Sequence, residues 1–151
     1  MAFAKKNLEV KTSTLPNAGK GLFTNVFIKK GTRITEYEGR YTNWEDVAED
    51  ADNGYIFYID DDNVIDAGKM KNSKARYAND AAGLTRIKGV RNNTKYVNEN
   101  NRIFIDATRD IQAGEEIFVG YGKEYWETVR NNIRLDKEEE KKKQKKASKK
   151  K

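Results

Sequence analysis

The sequence predicts a mostly β domain, built from small curved sheets with a few short helices. Three observations carry that expectation. Apolar residues alternate over short runs such as TRITEYEG (32–39) and RIFIDAT (102–108), the period of two that lays one face of a strand on a core. Glycines and turn-forming residues interrupt these runs at short intervals. Helical periodicity is confined to brief stretches, so no regular alternation of strand and helix builds a parallel sheet. A chain of 151 residues fits one such domain around a single core.

The elements follow in order. LEVKTST (8–14) alternates and stops at Pro16-Asn17. GLFTNVFI (21–28) ends at a KKG turn, and TRITEYEG stops at Gly39. TNWEDVAEDAD (42–52) reads as a short helix, with Thr42 and Glu45 as a capping box and acids in its first turns. YIFYID (55–60) and NVIDA (63–67) flank DDDN, a hairpin with a polar turn. NSKARYANDAAG (72–83) reads as a helical turn ending at Gly83. KYV (95–97) and RIFIDAT are strands about the turn NENN, and IFVGY (117–121) is the last strand. KEYWETVRNNIRL (123–135) is a helix that sets Tyr125, Val129 and Ile133 four apart on one stripe. There is no internal repeat.

Charge is unevenly placed. Residues 136–151 hold nine lysines against four acids, so this low-complexity tail carries most of the net charge of +6. The expected boundaries are therefore a folded domain over 1–135, closed by the 123–135 helix, and a lysine-rich tail over 136–151 that is disordered or a frayed helix. The tail suits solubility, electrostatic contact with nucleic acid, or a nuclear address. The near-neutral body is no basic nucleic-acid surface.

With no Cys and no His, the chain excludes Cys-His and Ser-His nucleophile pairs, thiolate or imidazole zinc sites, and disulfides. No apolar run approaches the roughly 20 residues that span a membrane, and MAFAKKNLEV lacks a signal-peptide core. An intracellular protein is expected. Its chemistry must rest on Tyr, Asp, Glu, Lys, Ser or Thr, or on a cofactor. Asp60, Asp61, Asp62 and Asp66 have no glycine among them to turn a calcium-type loop, so no metal site is expected there.

Four motifs occur in order: Gly19-Lys20-Gly21 at the start of a strand, Tyr37-Glu38-Gly39, Arg76-Tyr77-Ala78-Asn79-Asp80-Ala81, and Gly114-Glu115-Glu116-Ile117-Phe118-Val119-Gly120-Tyr121. Glycines around one residue let backbone approach a ligand, but the GxxxxGK[ST] spacing of a phosphate loop is absent. The ordered set, from about residue 8 to 130, resembles the SET-domain protein lysine methyltransferases. The resemblance implies small sheets around a pseudoknot, with the segment near 110–122 threading past ARYAND, against the usual rule that chains do not thread. It implies S-adenosylmethionine as cofactor, no metal, and a target lysine arriving through a channel from the opposite face. Histone tails are the implied substrate and the nucleus the implied location.

Residue by residue, the resemblance makes Tyr121 the catalytic phenol that orients the amine. It assigns the cofactor to Lys20, Gly21 and Leu22 by their backbone, to Asn79 and Asp80, to Tyr55 and Arg76, and to Trp126 as a lid. Tyr37, Tyr96, Val119 and Tyr121 line the lysine channel. Three departures stand out. Asp80 occupies the place of the family's histidine, the family's cysteine-rich zinc segments are missing, and Val119 stands where many members carry Phe or Tyr. Tyr96 then supplies a hydroxyl in the channel, and the expected product is monomethyl-lysine. The rival reading is a catalytically weak or inactive β-rich module that binds basic peptides or nucleic acid.

Overall fold

The computed structural model describes residues 3–48, 55–70, 72–83 and 86–149. The chain divides into two compact units, Met1–Gly120 and Tyr121–Lys151.

Among its described residues the first unit holds three antiparallel sheets of three strands. The first sheet orders β1 (Leu8–Thr12), β2 (Lys20–Thr24) and β9 (Glu116–Ile117) as β1-β2-β9. The second orders β3 (Arg33–Glu36), β7 (Thr94–Glu99) and β8 (Arg102–Ala107) as β3-β8-β7. The third orders β4 (Arg40–Thr42), β5 (Ile56–Asp60) and β6 (Asn63–Asp66) as β4-β6-β5. The small-sheet expectation is met.

Local sequence sets much of this. Asn100 and Asn101 take positive φ of 53° and 64°, the paired left-handed turn whose twist suits a tight hairpin. They fix six register pairs between β7 and β8, from Glu99↔Arg102 to Thr94↔Ala107. Ile103, Ile105 and Ala107 then alternate into the core. The 55–67 hairpin forms as the sequence predicts, with Asp60 opposite Asn63 and Asp61-Asp62 as its turn. On β6 the neighbours Val64 and Ile65 are both wholly buried, so that strand is covered on both faces.

The helix expected over 42–52 is described only as α1 (Trp44–Val47); positions 49–52 lie outside the described residues. Its cap is Asn43, whose side chain accepts from the Asp46 amide, and not Thr42. The reason is competition: Thr42 is held in β4 opposite Val64, and the next capping-type residue takes the role. ARYAND contributes a 3-10 turn over Lys74–Tyr77.

The chain after β9 passes between two segments distant in sequence. Asn79 bridges Phe118 and Thr94 bridges Val119, both in parallel. Asn93, 1% exposed, locks the crossing: its side chain donates to the Glu116 carbonyl at 2.9 Å and accepts from the Phe118 amide at 2.8 Å. A buried amide bonded on both sides imitates a strand neighbour. This is the threading that the family resemblance implies.

In the second unit, α2 runs from Lys123 to Lys149, well past the end expected at 135. Residues 123–149 contain no Gly or Pro, and Glu, Lys, Gln and Ala are good helix formers. Ion pairs Lys123–Glu127 and Arg134–Glu138 add i,i+4 support.

Candidate active site

The Gly-x-Gly corner is built by two different glycine requirements. Gly19 sits at φ +69°, where a side chain would be strained, and closes the turn by accepting from the Ser13 amide at 2.8 Å. Gly21 is needed for packing. A Cβ there would stand 2.3 Å from the Glu116 Oε2. That carboxylate is buried and accepts from the Ser13 hydroxyl at 2.7 Å, the Thr14 amide at 2.8 Å and the Thr14 hydroxyl at 2.6 Å. Two motifs 95 positions apart, Gly21 and Glu116, are thus one packing unit, and three donors meet the cost of burying the acid.

β9 is only two residues long and pairs with Leu22 and Phe23, and the residues just before it bond Thr24. Beyond Leu22, β2 has Asn79 beside it: the Asn79 side-chain amide donates to the Lys20 carbonyl at 2.9 Å. The Asn79 carbonyl accepts from the Val119 amide at 2.9 Å. One asparagine therefore ties GKG, ARYAND and GEEIFVG together. Leu22 is wholly buried, between Val10 of β1 and Ile117 of β9.

Asp80 is 6% exposed and used internally. Its Oδ1 accepts from the Ala82 amide and the Asn92 side chain, both at 2.8 Å, while Asn92 Oδ1 accepts from the Ala81 amide at 2.8 Å. This pair shapes the turn after Asn79 without an imidazole. Arg76 is clamped. Its guanidinium donates to the Ala67 and Gly68 carbonyls at 3.0 and 3.2 Å and to the Tyr77 hydroxyl at 2.5 Å. It also lies over the rings of Tyr55 at 4.3 Å and Tyr77 at 4.7 Å.

A second focus is aromatic. Tyr37, buried to 4% exposure, donates its hydroxyl to the Tyr55 carbonyl at 2.9 Å. Its ring centroid lies 5.4 Å from Phe57 and 6.3 Å from Tyr96, and Phe57 meets Tyr96 edge-on at 4.8 Å. These are favoured tilted and edge geometries. Gly39 permits the strand approach beside Tyr37, since a Cβ there would fall 2.6 Å from the Asp66 carbonyl oxygen. Val119 is wholly buried. Of the expected channel residues, Tyr37 and Tyr96 come together, with Phe57 between them. Sequence reasoning missed Phe57, Asn93 and Glu116. Strand alternation in YIFYID carried a signal for Phe57, because it puts Tyr55 and Phe57 on one face.

In the second unit, Tyr121 stacks on Trp126 at 5.8 Å with ring planes 11° apart. Tyr125 stands edge-on to both, 5.0 Å from each. The phenol expected to be catalytic is therefore held in an aromatic trio. Among the described residues, no group of three or more acidic, His or Cys side chains is arranged to hold a metal, and no helix is long and apolar enough to cross a membrane.

This fold and these motifs match a known family. A profile described as "SET domain" covers residues 19–122, and the chain belongs to that family of lysine methyltransferases. Over 109 residues it is 32% identical to PR domain zinc finger protein 14 of Mus musculus, covering 70% of this chain and 18% of that protein. Over 131 residues it is 30% identical to "Histone-lysine N-methyltransferase, H3 lysine-36 specific" of Homo sapiens, covering 81% of this chain and 5% of that one. The chain thus spans under a fifth of either curated relative. Among solved structures, it superposes on a humanized mutant of the Chaetomium thermophilum Polycomb Repressive Complex 2 bound to the inhibitor GSK126. The TM-score is 0.61 at 28% identity, over 81% of this chain and 15% of that chain. The methyltransferase domain of human PR domain-containing protein 2 matches at TM-score 0.58 and 21% identity over 78% of each chain, a likeness of fold.

Proposed function

We propose that this protein is an S-adenosylmethionine-dependent protein-lysine N-methyltransferase that acts on basic tails such as those of histones and stops at monomethyl-lysine. The observation that carries it is the meeting of three motif segments at Asn79, bonded to the Lys20 carbonyl and the Val119 amide.

The residues at that corner fit the cofactor. The shortness of β9 leaves the start of β2 paired on one side only, with β1, and a Cβ built on Gly19 meets nothing within 4 Å. Backbone of Gly19 and Lys20, with Asn79 and the Asp80 turn, would hold its polar groups. Arg76 and Tyr55 would act by fixing the wall around them. When bound, the cofactor supplies an electrophilic methyl group on a sulfonium.

The chain must deliver a neutral amine in line with that methyl group. Free lysine has a pKa of about 10.4, so it arrives mostly protonated. A site walled by Tyr37, Phe57 and Tyr96, with Val119 added to the channel by family resemblance, disfavours the ammonium by desolvation. The same π faces accommodate charge that develops during transfer. The Tyr121 phenol orients the amine, by family resemblance, and alignment lowers the barrier by several kcal/mol. No Cys or His is needed. The Tyr96 hydroxyl, beside the amine, takes the space of further methyl groups. Histone substrates place the protein at chromatin, where the lysines at the end of α2 would add salt-sensitive contact with nucleic acid.

Calorimetry with S-adenosylmethionine tests the corner. Asn79→Ala should weaken binding at least about tenfold, roughly the effect of one lost hydrogen bond and its orphaned partner. Unchanged affinity would remove the cofactor from this place.

A further inference from the structure

The third sheet has a second face that the proposed chemistry leaves unused. In its register Tyr41, Ile65 and Phe57 form one row, and Thr42, Val64 and Tyr58 the next. Successive residues point to opposite faces, so Tyr58 lies across the sheet from Phe57 and its aromatic neighbours. On that far face Tyr58 meets Trp44 edge-on at 5.8 Å. The two rings remain 52% and 39% exposed, although an indole and a phenol side by side are costly to leave in water. They are also held in place. The Trp44 amide donates to the Asp61 carbonyl at 2.9 Å, and the Tyr58 hydroxyl to the Asp61 carboxylate at 2.5 Å.

Charge says what such a pair would take. Elsewhere in this unit ion pairs join Glu36 to Arg102, Glu99 and Asp106 to Arg33, and Asp66 to Arg40. Around Trp44 and Tyr58, among the described residues, no ion pair engages Glu45, Asp46, Asp60, Asp61 or Asp62. Exposed π faces with uncompensated carboxylates attract guanidinium and ammonium groups and repel nucleic acid.

We infer that Trp44 and Tyr58, with this acidic rim, form an exosite that grips a second Lys or Arg of an extended basic substrate, away from the lysine being modified. The substrate class rests on the methyltransferase reading. β5 is an edge strand of its sheet, so a peptide laid along it could present alternate side chains to the two faces.

The test is fluorescence anisotropy of the full chain with a labelled peptide in which Lys and Arg alternate with Gly and Ala, in the absence of methyl donor. The wild type should bind it, less tightly as salt is added, and should ignore the same peptide carrying Glu. Trp44→Ala with Tyr58→Ala should weaken binding about tenfold, whereas Trp44→Phe should keep most of it. Glu45→Gln with Asp62→Asn, both exposed, should weaken binding and flatten its salt dependence with the fold intact. Wild-type affinity in both double variants would overturn the exosite, as would equal binding of the Glu peptide. The two readings separate cleanly. Peptide held through Trp44 but never methylated would leave the exosite standing and sink the methyltransferase. Methylation with KM unmoved by either double variant would do the reverse.

Discussion

In the proposed mechanism, Tyr96 is the residue on which the number of methyl groups turns. Its ring is set by Phe57 at 4.8 Å and Tyr37 at 6.3 Å, so losing only the hydroxyl should leave the wall in place and free the space it fills. Tyr96→Phe is expected to move the product from mono- towards di- and trimethyl-lysine, read by mass spectrometry of a modified histone. Trimethyl-lysine from the wild type would refute the assignment. Gly21 makes a different kind of prediction. Because a Cβ would overlap the Glu116 carboxylate, Gly21→Ala should lower stability by about 1–3 kcal/mol, as overpacked cores do. Denaturant unfolding measures it, and a neutral result would show that Glu116 moves freely. From sequence alone Gly21 reads as a place for ligand approach; its partner lies 95 positions away, and nothing local announces the contact. Asn93 was hidden for the same reason, since its hydrogen bonds reach Glu116 and Phe118.

At the scale of elements, the β7–β8 hairpin and the 55–67 hairpin were legible because alternation and turn chemistry are both local. The end of α2 was not. A run of lysines suggests repulsion and fraying, but acids at 136 and 138–140 precede them and no breaker stands between. Across the β3-β8-β7 sheet, Arg33 donates to Glu99 at 2.9 and 3.0 Å and to Asp106 at 2.9 and 3.2 Å. The Glu99 carboxyl is held below its ordinary range chiefly by the Arg33 hydrogen bonds. A depressed carboxyl stabilises the fold above its unfolded pKa of about 4.3, and that contribution is lost as pH falls through the lower folded value. Glu99→Gln should therefore melt slightly below the wild type at neutral pH, with the gap closing in acid. The gap will be small, because the pair is exposed to solvent. A gap that widened in acid would contradict the linkage.

For the molecule as a whole, the four ordered motifs made the family legible where periodicity could give only small sheets. Topology is where periodicity ran out: the passage of Phe118 and Val119 between Asn79 and Thr94 joins segments no local pattern connects. What the resemblance adds is a chemistry without histidine, cysteine or metal, carried by aromatic walls and a phenol. Its central claim is methyl transfer to lysine through Tyr121, and the most direct measurement is transfer of labelled methyl from S-adenosylmethionine to mixed core histones, run beside Tyr121→Phe. The account predicts label on a histone lysine, reduced about 100-fold or more in the variant, with unfolding unchanged. Label at the same rate in Tyr121→Phe, or none from a wild type that binds the cofactor and the histones, would contradict it.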